Sequence, residues 1–228
     1  AGPADEQLQE DADYDWNTSA NGTLRLGGDS YTAVYEVHNT SQLNFYQRDM
    51  FNNREPLPIR AVQFRYPNGT VVNATAFDRS TNDERIRLQL PNRTGKLAYT
   101  VEQNGKAVQT ATFVDGSYEV VLPSKTNVGV PILSNVAPGG HETEQIDGQV
   151  HITWEDVDSD KLAVEYYLER DLWLFSGLFT LLVVVGVGGG LYYWRQIRSL
   201  QTRREEVGLD VEDEDDDIDD QGPPPGMG

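Results

Sequence analysis

Residues 172–194, LWLFSGLFTLLVVVGVGGGLYYW, form a run of 23 without one charged side chain. At about 1.5 Å per residue a helix of this length reaches about 34 Å, against about 30 Å for the hydrocarbon core of a bilayer. A helix in a water-soluble domain keeps a polar stripe toward solvent and does not stay apolar on every side for so many turns. The ends also look like interfaces, with Trp173 at one and Tyr192, Tyr193 and Trp194 at the other. Rings with an apolar body and a polar edge settle at headgroup level. The run predicts a single transmembrane helix over 172–194, with membrane lipid as its surroundings.

Its flanks predict the orientation. Arg195, Arg198, Arg203 and Arg204 follow the run before the first acid, Glu205, whereas residues 155–171 hold seven acids against Lys161 and Arg170. Cytoplasmic flanks carry the excess of Lys and Arg. The C-terminal segment is therefore expected in the cytoplasm and residues 1–171 outside the cell membrane, a type I arrangement. Export calls for a leader, and a chain starting AGPADEQ implies a signal peptide already removed, with an upstream lipid-modified Cys left open. Gly186 and Gly190 are spaced as GxxxG beside Gly188 and Gly189, making them helix-packing candidates for a homodimer or for other membrane subunits.

The net charge of −19 arises from 37 acids against 18 bases, only four of them lysines. Abundant hydrated carboxylates keep a surface soluble where salt screens repulsion over about 3 Å near 1 M. With no cysteine in an exported chain, the composition points to a halophile that does without disulfides. Residues 1–22 carry six acids and no base and few apolar side chains, and read as a flexible acidic lead. Residues 195–228 end in DVEDEDDDIDDQGPPPGMG and read as a disordered, solvating cytoplasmic tail.

Between lead and span the pattern is that of strands. YTAVYEV (31–37), IRAVQFRY (59–66), TVVNATAF (70–77), RIRLQL (85–90), KLAYTVEQ (96–103), AVQTATFV (107–114) and YEVVL (118–122) are short, β-branched and aromatic, with turn dipeptides between them. In RIRLQL the apolar residues Ile86, Leu88 and Leu90 alternate with Arg85, Arg87 and Gln89, as in a half-buried strand. VHITWEDV (150–157) and KLAVEYYLERD (161–171) form a second set, expected as a hairpin joined through residues 158–160, with 125–148 a long connection or the carrier of one short strand. The fold class expected is mainly β: an antiparallel β-sandwich of immunoglobulin-like type, one C-terminal transmembrane helix and a disordered acidic tail. The divisions are a lead at 1–22, a distal sandwich module at 23–123, a membrane-proximal hairpin module at 124–171, the span at 172–194 and the tail at 195–228.

Six N-x-S/T sequons occur at Asn17, Asn21, Asn39, Asn68, Asn73 and Asn92, all before residue 93. Such sites are N-glycosylation candidates when exported on exposed turns. Arg54, Arg60, Arg65, Arg79, Arg85, Arg87 and Arg93 crowd into one stretch of a chain otherwise dominated by acids. The guanidinium fork suits carboxylates, sulfates and phosphates. Arg60, Arg65, Arg85 and Arg87 are accordingly candidates for binding an anion or partner, against the plainer expectation that the arginines pair with nearby acids.

Catalytic chemistry is thinly provided. With no cysteine and only His38, His141 and His151, nucleophile–base and zinc arrangements are nearly out of reach. GGHETE around His141 lacks the second histidine of a zinc helix. Asp156, Asp158 and Asp160 match the start of a calcium loop, but Lys161 stands where glycine is needed and Tyr167 where glutamate is needed. No cofactor, metal, enzymatic activity or nucleic-acid partner is expected.

The stretches YTAVYEVHN, FRYPNGTVV, GSYEVVLP, NVAPGGHETE and HITWEDV…LAVEYYLERDLWLF, with the span and its Arg/Asp tail, resemble a family of uncharacterised single-pass surface proteins of halophilic archaea. The resemblance covers nearly the whole chain and implies an exported, membrane-anchored protein without an assigned activity. The expected work is structural or recognition at the cell surface, contacting surface-layer protein or surface glycan. The alternative is an accessory subunit of a larger membrane complex, docked through the glycine-rich span.

Overall fold

The structure, a computed structural model, describes residues 5–48, 51–103 and 105–208. The chain divides into two compact units, Ala1–Trp173 and Leu174–Gly228. The first is mainly β. In chain order it has a short helix α1 (Asp5–Leu8) and strands β1 (Gly22–Leu26), β2 (Ser30–Val37), β3 (Gln42–Arg48), β4 (Arg54–Pro56), β5 (Ile59–Arg65), β6 (Val71–Asn73), β7 (Asp78–Thr81), β8 (Ile86–Gln89) and β9 (Gly95–Glu102). These are followed by β10 (Ala107–Ala111), β11 (Tyr118–Val121), β12 (Thr126–Asn127), β13 (Asn135–Ala137), β14 (Glu142–Ile146), β15 (Gln149–Trp154), β16 (Lys161–Glu165) and β17 (Tyr167–Leu168).

An eight-stranded sheet runs β14-β15-β11-β1-β2-β9-β5-β6, and smaller sheets run β4-β3-β8-β7, β10-β16-β13 and β12-β17. All pairings are antiparallel except β1 with β11, where Gly22 lies opposite Tyr118 and Arg25 opposite Val121. Alternation decides which side chains go inward. In β2, Tyr31, Ala33, Tyr35 and Val37 enter the main core and Val34 the opposite face; in β8, Ile86 and Leu88 are buried while Arg87 and Gln89 are exposed. The main core joins the eight-stranded sheet to the smaller ones. The ring of Phe45 on β3 lies 5.1 Å from that of Tyr99 on β9, and Tyr99 stacks on Tyr35 at 5.9 Å. Each large apolar side chain buried here contributes about 1.5–3 kcal/mol.

The other face of the large sheet is covered by the acidic N-terminal stretch, which is therefore no loose lead from residue 5 onward. Leu8 is buried in the main core, and Tyr14, with Ala12 and Trp16 beside it, packs on Val34, Ala61 and Ala98. The polar groups of this strap are also spoken for. Gln63 Nε2 donates to Ala12 O at 2.7 Å, and Lys96 Nζ donates to Trp16 O at 3.0 Å and Thr18 Oγ1 at 2.9 Å. Its acids meet basic partners: Glu10 with Arg60, Asp15 with Arg25 at 2.8 Å, and Asp5 with Arg79. Charge run alone hides this, because the apolar residues that anchor the strap are only a few among many acids.

Four further expectations are corrected. The stretches 150–157 and 161–171 do not form a hairpin: β15 pairs with β11 and β14, β16 with β10 and β13. Nor do they make a separate module, since Ile152, Trp154, Leu162 and Val164 belong to the same core as Leu24 and Phe64. The strand expected over 70–77 stops at Asn73, whose side chain accepts from Thr75 N at 3.2 Å and caps a 3-10 turn, Ala74–Ala76. The connection 125–148 carries three short strands, β12, β13 and β14.

Helix α2 (Glu169–Gly208) follows β17 directly. It extends beyond the apolar run at both ends, since neither flank holds a proline and QIRSLQTRREEV is rich in helix formers. Glu169–Arg198 is, among the described residues, the one helix long and apolar enough to cross a membrane, and none of its apolar side chains from Leu172 to Ile197 is buried. One of the arginines after the apolar run makes a local contact of its own kind, with the Arg198 guanidinium 4.0 Å from the Trp194 ring centre. The disordered tail expected at the C-terminus lies, from residue 209, outside the described residues.

Candidate functional site

Strands β2 and β9 run antiparallel in full register, Val37 opposite Gly95 and Ser30 opposite Glu102. Eight residues at about 3.4 Å each separate the two ends of the sheet by roughly 25 Å. At the Gly95 end lie the turns 38–41, 66–70 and 90–94, the first and last joined by Thr40 N donating to Arg93 O at 3.1 Å. At the Ser30 end lie 27–29 and 103–106, and there Lys106 Nζ meets Asp171 Oδ2 at 2.5 Å in the first turn of α2.

The sequons divide along the same axis. Asn39, Asn68 and Asn92 sit exposed on the turns of the Gly95 end, and Asn17 is exposed on the strap beside Trp16, whose carbonyl Lys96 holds. Asn73 is exposed at its 3-10 cap. Asn21 differs: it is half-buried, and its Oδ1 accepts from Ser117 N at 3.1 Å and Ser117 Oγ at 3.0 Å. Gly116, at φ +107, makes room for it, because a Cβ there would come within 2.5 Å of the same oxygen.

The four candidate arginines are not gathered into one basic patch. Arg60 and Arg65 are on β5, whereas Arg87 is on β8 in a different sheet and Arg85 immediately precedes that strand. The Arg60 guanidinium grips the Glu10 carboxylate through Nε at 3.0 Å and Nη2 at 2.7 Å and also meets Glu102; its hydrogen bonds to Glu10 are the main force holding the proton on. Arg85 lies 4.0 Å from Glu84, and Arg87 Nε donates to Asn44 Oδ1 at 3.4 Å. Arg65 has no ion pair and no side-chain hydrogen bond among the described residues.

Two clefts open on these ends. One of about 510 Å3 at the Ser30 end is lined by Glu10, Asp29, Glu102 and Gln103 around Arg60. The other, about 350 Å3 at the Gly95 end, is lined by Trp16, Glu36, His38, Arg65, Tyr66 and Lys96, with Asn68 at the same place. Its rings are set by packing behind them: Trp16 stands edge-on to Tyr14 at 5.9 Å and Tyr66 edge-on to Phe64 at 5.3 Å. Gly95 lets the wall close up, since a Cβ there would fall 2.5 Å from the Phe64 ring. His38 Nε2 lies 3.3 Å from Glu36 Oε1. Apart from Arg65, these residues carry no sequence motif; the available signal was a Trp, rare here, standing in the polar lead next to a sequon.

Among the described residues, no group of three or more His, Asp or Glu is arranged to hold a metal ion. Asp156, Asp158 and Asp160 are exposed, and Asp160 lies 3.7 Å from Arg48. His141 is near Pro138 O and His151 Nδ1 is 2.8 Å from Glu119 Oε1. In the C-terminal unit, Gly186 and Gly190 lie within α2 with open space where a Cβ would stand.

Taken together, this is a β-rich protein with several mostly antiparallel sheets and one C-terminal helix able to cross a membrane. Residues 18–212 match the model of a family of unknown function, DUF5803, and the chain belongs to that family. No curated protein matches the sequence.

Proposed function

We propose that the protein is a single-pass cell-surface protein of a halophilic archaeon. An N-glycosylated, immunoglobulin-like β-sandwich stands outside, the C-terminal acidic tail lies disordered in the cytoplasm, and the role is structural or recognition rather than enzymatic. The observation that carries the reading is helix α2, long and apolar enough over Glu169–Arg198 to cross a membrane, uncharged on every side from 172 to 194, and with no apolar residue of 172–197 buried. Support for the orientation comes from the arginines after the run and the acids before it. Support for a sandwich comes from the single core shared by the large and small sheets, and for glycosylation from exposed turns bearing Asn39, Asn68 and Asn92. An acid-rich, cysteine-free composition supports the halophilic setting.

The absence of cysteine makes the topology directly testable. Ser80→Cys, on an exposed strand residue, should react with a membrane-impermeant maleimide on intact cells, and Gln221→Cys only after permeabilisation. The reverse pattern overturns the orientation, and labelling of a fully soluble chain overturns the anchor. The alternative role, as an accessory subunit, draws on the open glycine face at Gly186 and Gly190. Mass measurement of the particle purified in mild detergent separates the two: a stoichiometric partner chain favours the subunit.

A further inference from the structure

We infer that the cleft at the Gly95 end binds a short saccharide carrying a carboxylate or sulfate, an inference that rests on the surface location proposed above. Four observations converge on it. Trp16 and Tyr66 offer two half-buried rings, each fixed edge-on against another aromatic, and such rings give contact area to the C–H faces of a sugar with little entropy to lose. Arg65 brings to the same cleft a guanidinium with no ion pair or side-chain hydrogen bond among the described residues, and its fork matches a planar carboxylate or a sulfate edge. Lys96 is the second cation, but its ammonium is already held by Trp16 O and by Thr18, so it shapes the wall and Arg65 takes the anion. Glu36 and His38 supply an acceptor and a ring nitrogen for sugar hydroxyls.

The cleft's size fits this class. About 350 Å3 is at the lower end of small-ligand sites, which span about 300–1,000 Å3. A peptide added as a strand would need a free sheet edge, and here β5 is paired on both sides, with β9 and β6. The ligand is thus read by side chains. Asn68, a sequon residue on the wall, means that the saccharide has two sources: this chain's own glycan folded back into the cleft, or a glycan of a neighbouring surface molecule.

The test uses the full chain made without glycosylation, in mild detergent, titrated calorimetrically with galacturonic acid trisaccharide and with neutral galactotriose. The acidic trisaccharide should bind, and the neutral one at least about tenfold more weakly, the loss of one charge-assisted contact. Arg65→Gln should weaken acidic binding by a similar factor and Trp16→Ala by several-fold, whereas Arg87→Gln, on another sheet, should not change it. Thermal unfolding run alongside shows that the variants fold. No binding by the folded parent chain, equal affinity for the two sugars, or undiminished binding in folded Arg65→Gln overturns the inference. In glycosylated protein from its own membranes, binding lost and then restored by Asn68→Gln identifies the chain's own glycan; unchanged binding identifies a glycan in trans. Failure here with correct cysteine labelling rejects the ligand alone, whereas inverted labelling rejects the surface location itself.

Discussion

The Tyr14 hydroxyl donates to the carbonyl of Ala61, 2.8 Å away, and so ties the N-terminal strap to a bulge in β5. Ala61 sits at φ +50, an unfavourable region for a residue with a Cβ, at the point where pairing with β9 shifts register between Arg60 and Gln63. The bulge turns a backbone carbonyl out of the ladder, and Tyr14 satisfies it. Since the Tyr14 proton goes to Ala61, Thr100 Oγ1, at 2.9 Å, donates back to the phenol oxygen. One side chain therefore closes the hydrogen bonding of two strands.

If this bond anchors the strap, Tyr14→Phe should lower stability by about 1–2 kcal/mol, the yield of hydrogen bonds left unmade at a buried carbonyl. Tyr14→Ala, which also empties the packing on Val34, Ala61 and Ala98, should cost about 3–5 kcal/mol. Thermal unfolding of the full chain in detergent, followed by circular dichroism, should register about 2–4 °C per kcal/mol for a unit of this size. Two variants as stable as the parent would mean that the strap does not hold the sheet.

The core tyrosines set an alkaline limit. Burial pushes Tyr31 and Tyr118 up to about 12, with the nearby Thr110 hydroxyl for Tyr31 and, for Tyr118, the backbone hydrogen bond at Val114 partly offsetting it. Burial also carries Tyr35 and Tyr99 well above the usual 10. These folded values are raised, so the stability they contribute is complete below pH 10, where the unfolded chain still keeps its protons. Above pH 10 the unfolded chain releases protons that the folded one retains, and stability falls through pH 12. Phenolate absorbance and far-ultraviolet circular dichroism followed together should show the core tyrosines ionising only as the strands are lost. Ionisation of all tyrosines with the sheet intact would contradict this.

Site-resolved mass spectrometry of peptides from native membranes should find glycan on exposed sequons such as Asn39 and Asn92 and none on Asn21. The Asn21 side chain is half-buried and pinned through its oxygen by Ser117, so its amide nitrogen has less room for a sugar than the exposed sequons. Full occupancy at Asn21 would show that this corner opens.

Period-two alternation made β2, β5, β8 and β9 legible, because each sends one set of side chains into the main core and leaves most of the other set exposed or half-exposed, apart from Val34, Ala61 and Ala98 beneath the strap. Short strands such as β4, β12 and β13 were not, since three residues or fewer hold no period, and β14, ETEQI, is exposed throughout and shows no contrast. Partnership was legible least of all. Nothing local in VHITW tells that it pairs with YEVV rather than with KLAVE; that choice belongs to the shared core. The cleft escaped for the same reason, as Trp16, His38, Arg65 and Lys96 meet only once three strands and the strap are assembled.

The parallel pairing of β1 with β11 joins residue 22 to residue 118, and β11 is flanked in turn by β15. Closing such long loops costs conformational entropy before any contact rewards it, so the topology has high contact order and folds slowly. As the chain emerges from its N-terminus during synthesis, the first strand must wait, unpaired on one side, for nearly all of the following domain. The acidic residues of the strap, which later meet Arg25, Arg60 and Arg79, would meanwhile keep that unfinished chain hydrated and repelled from its neighbours.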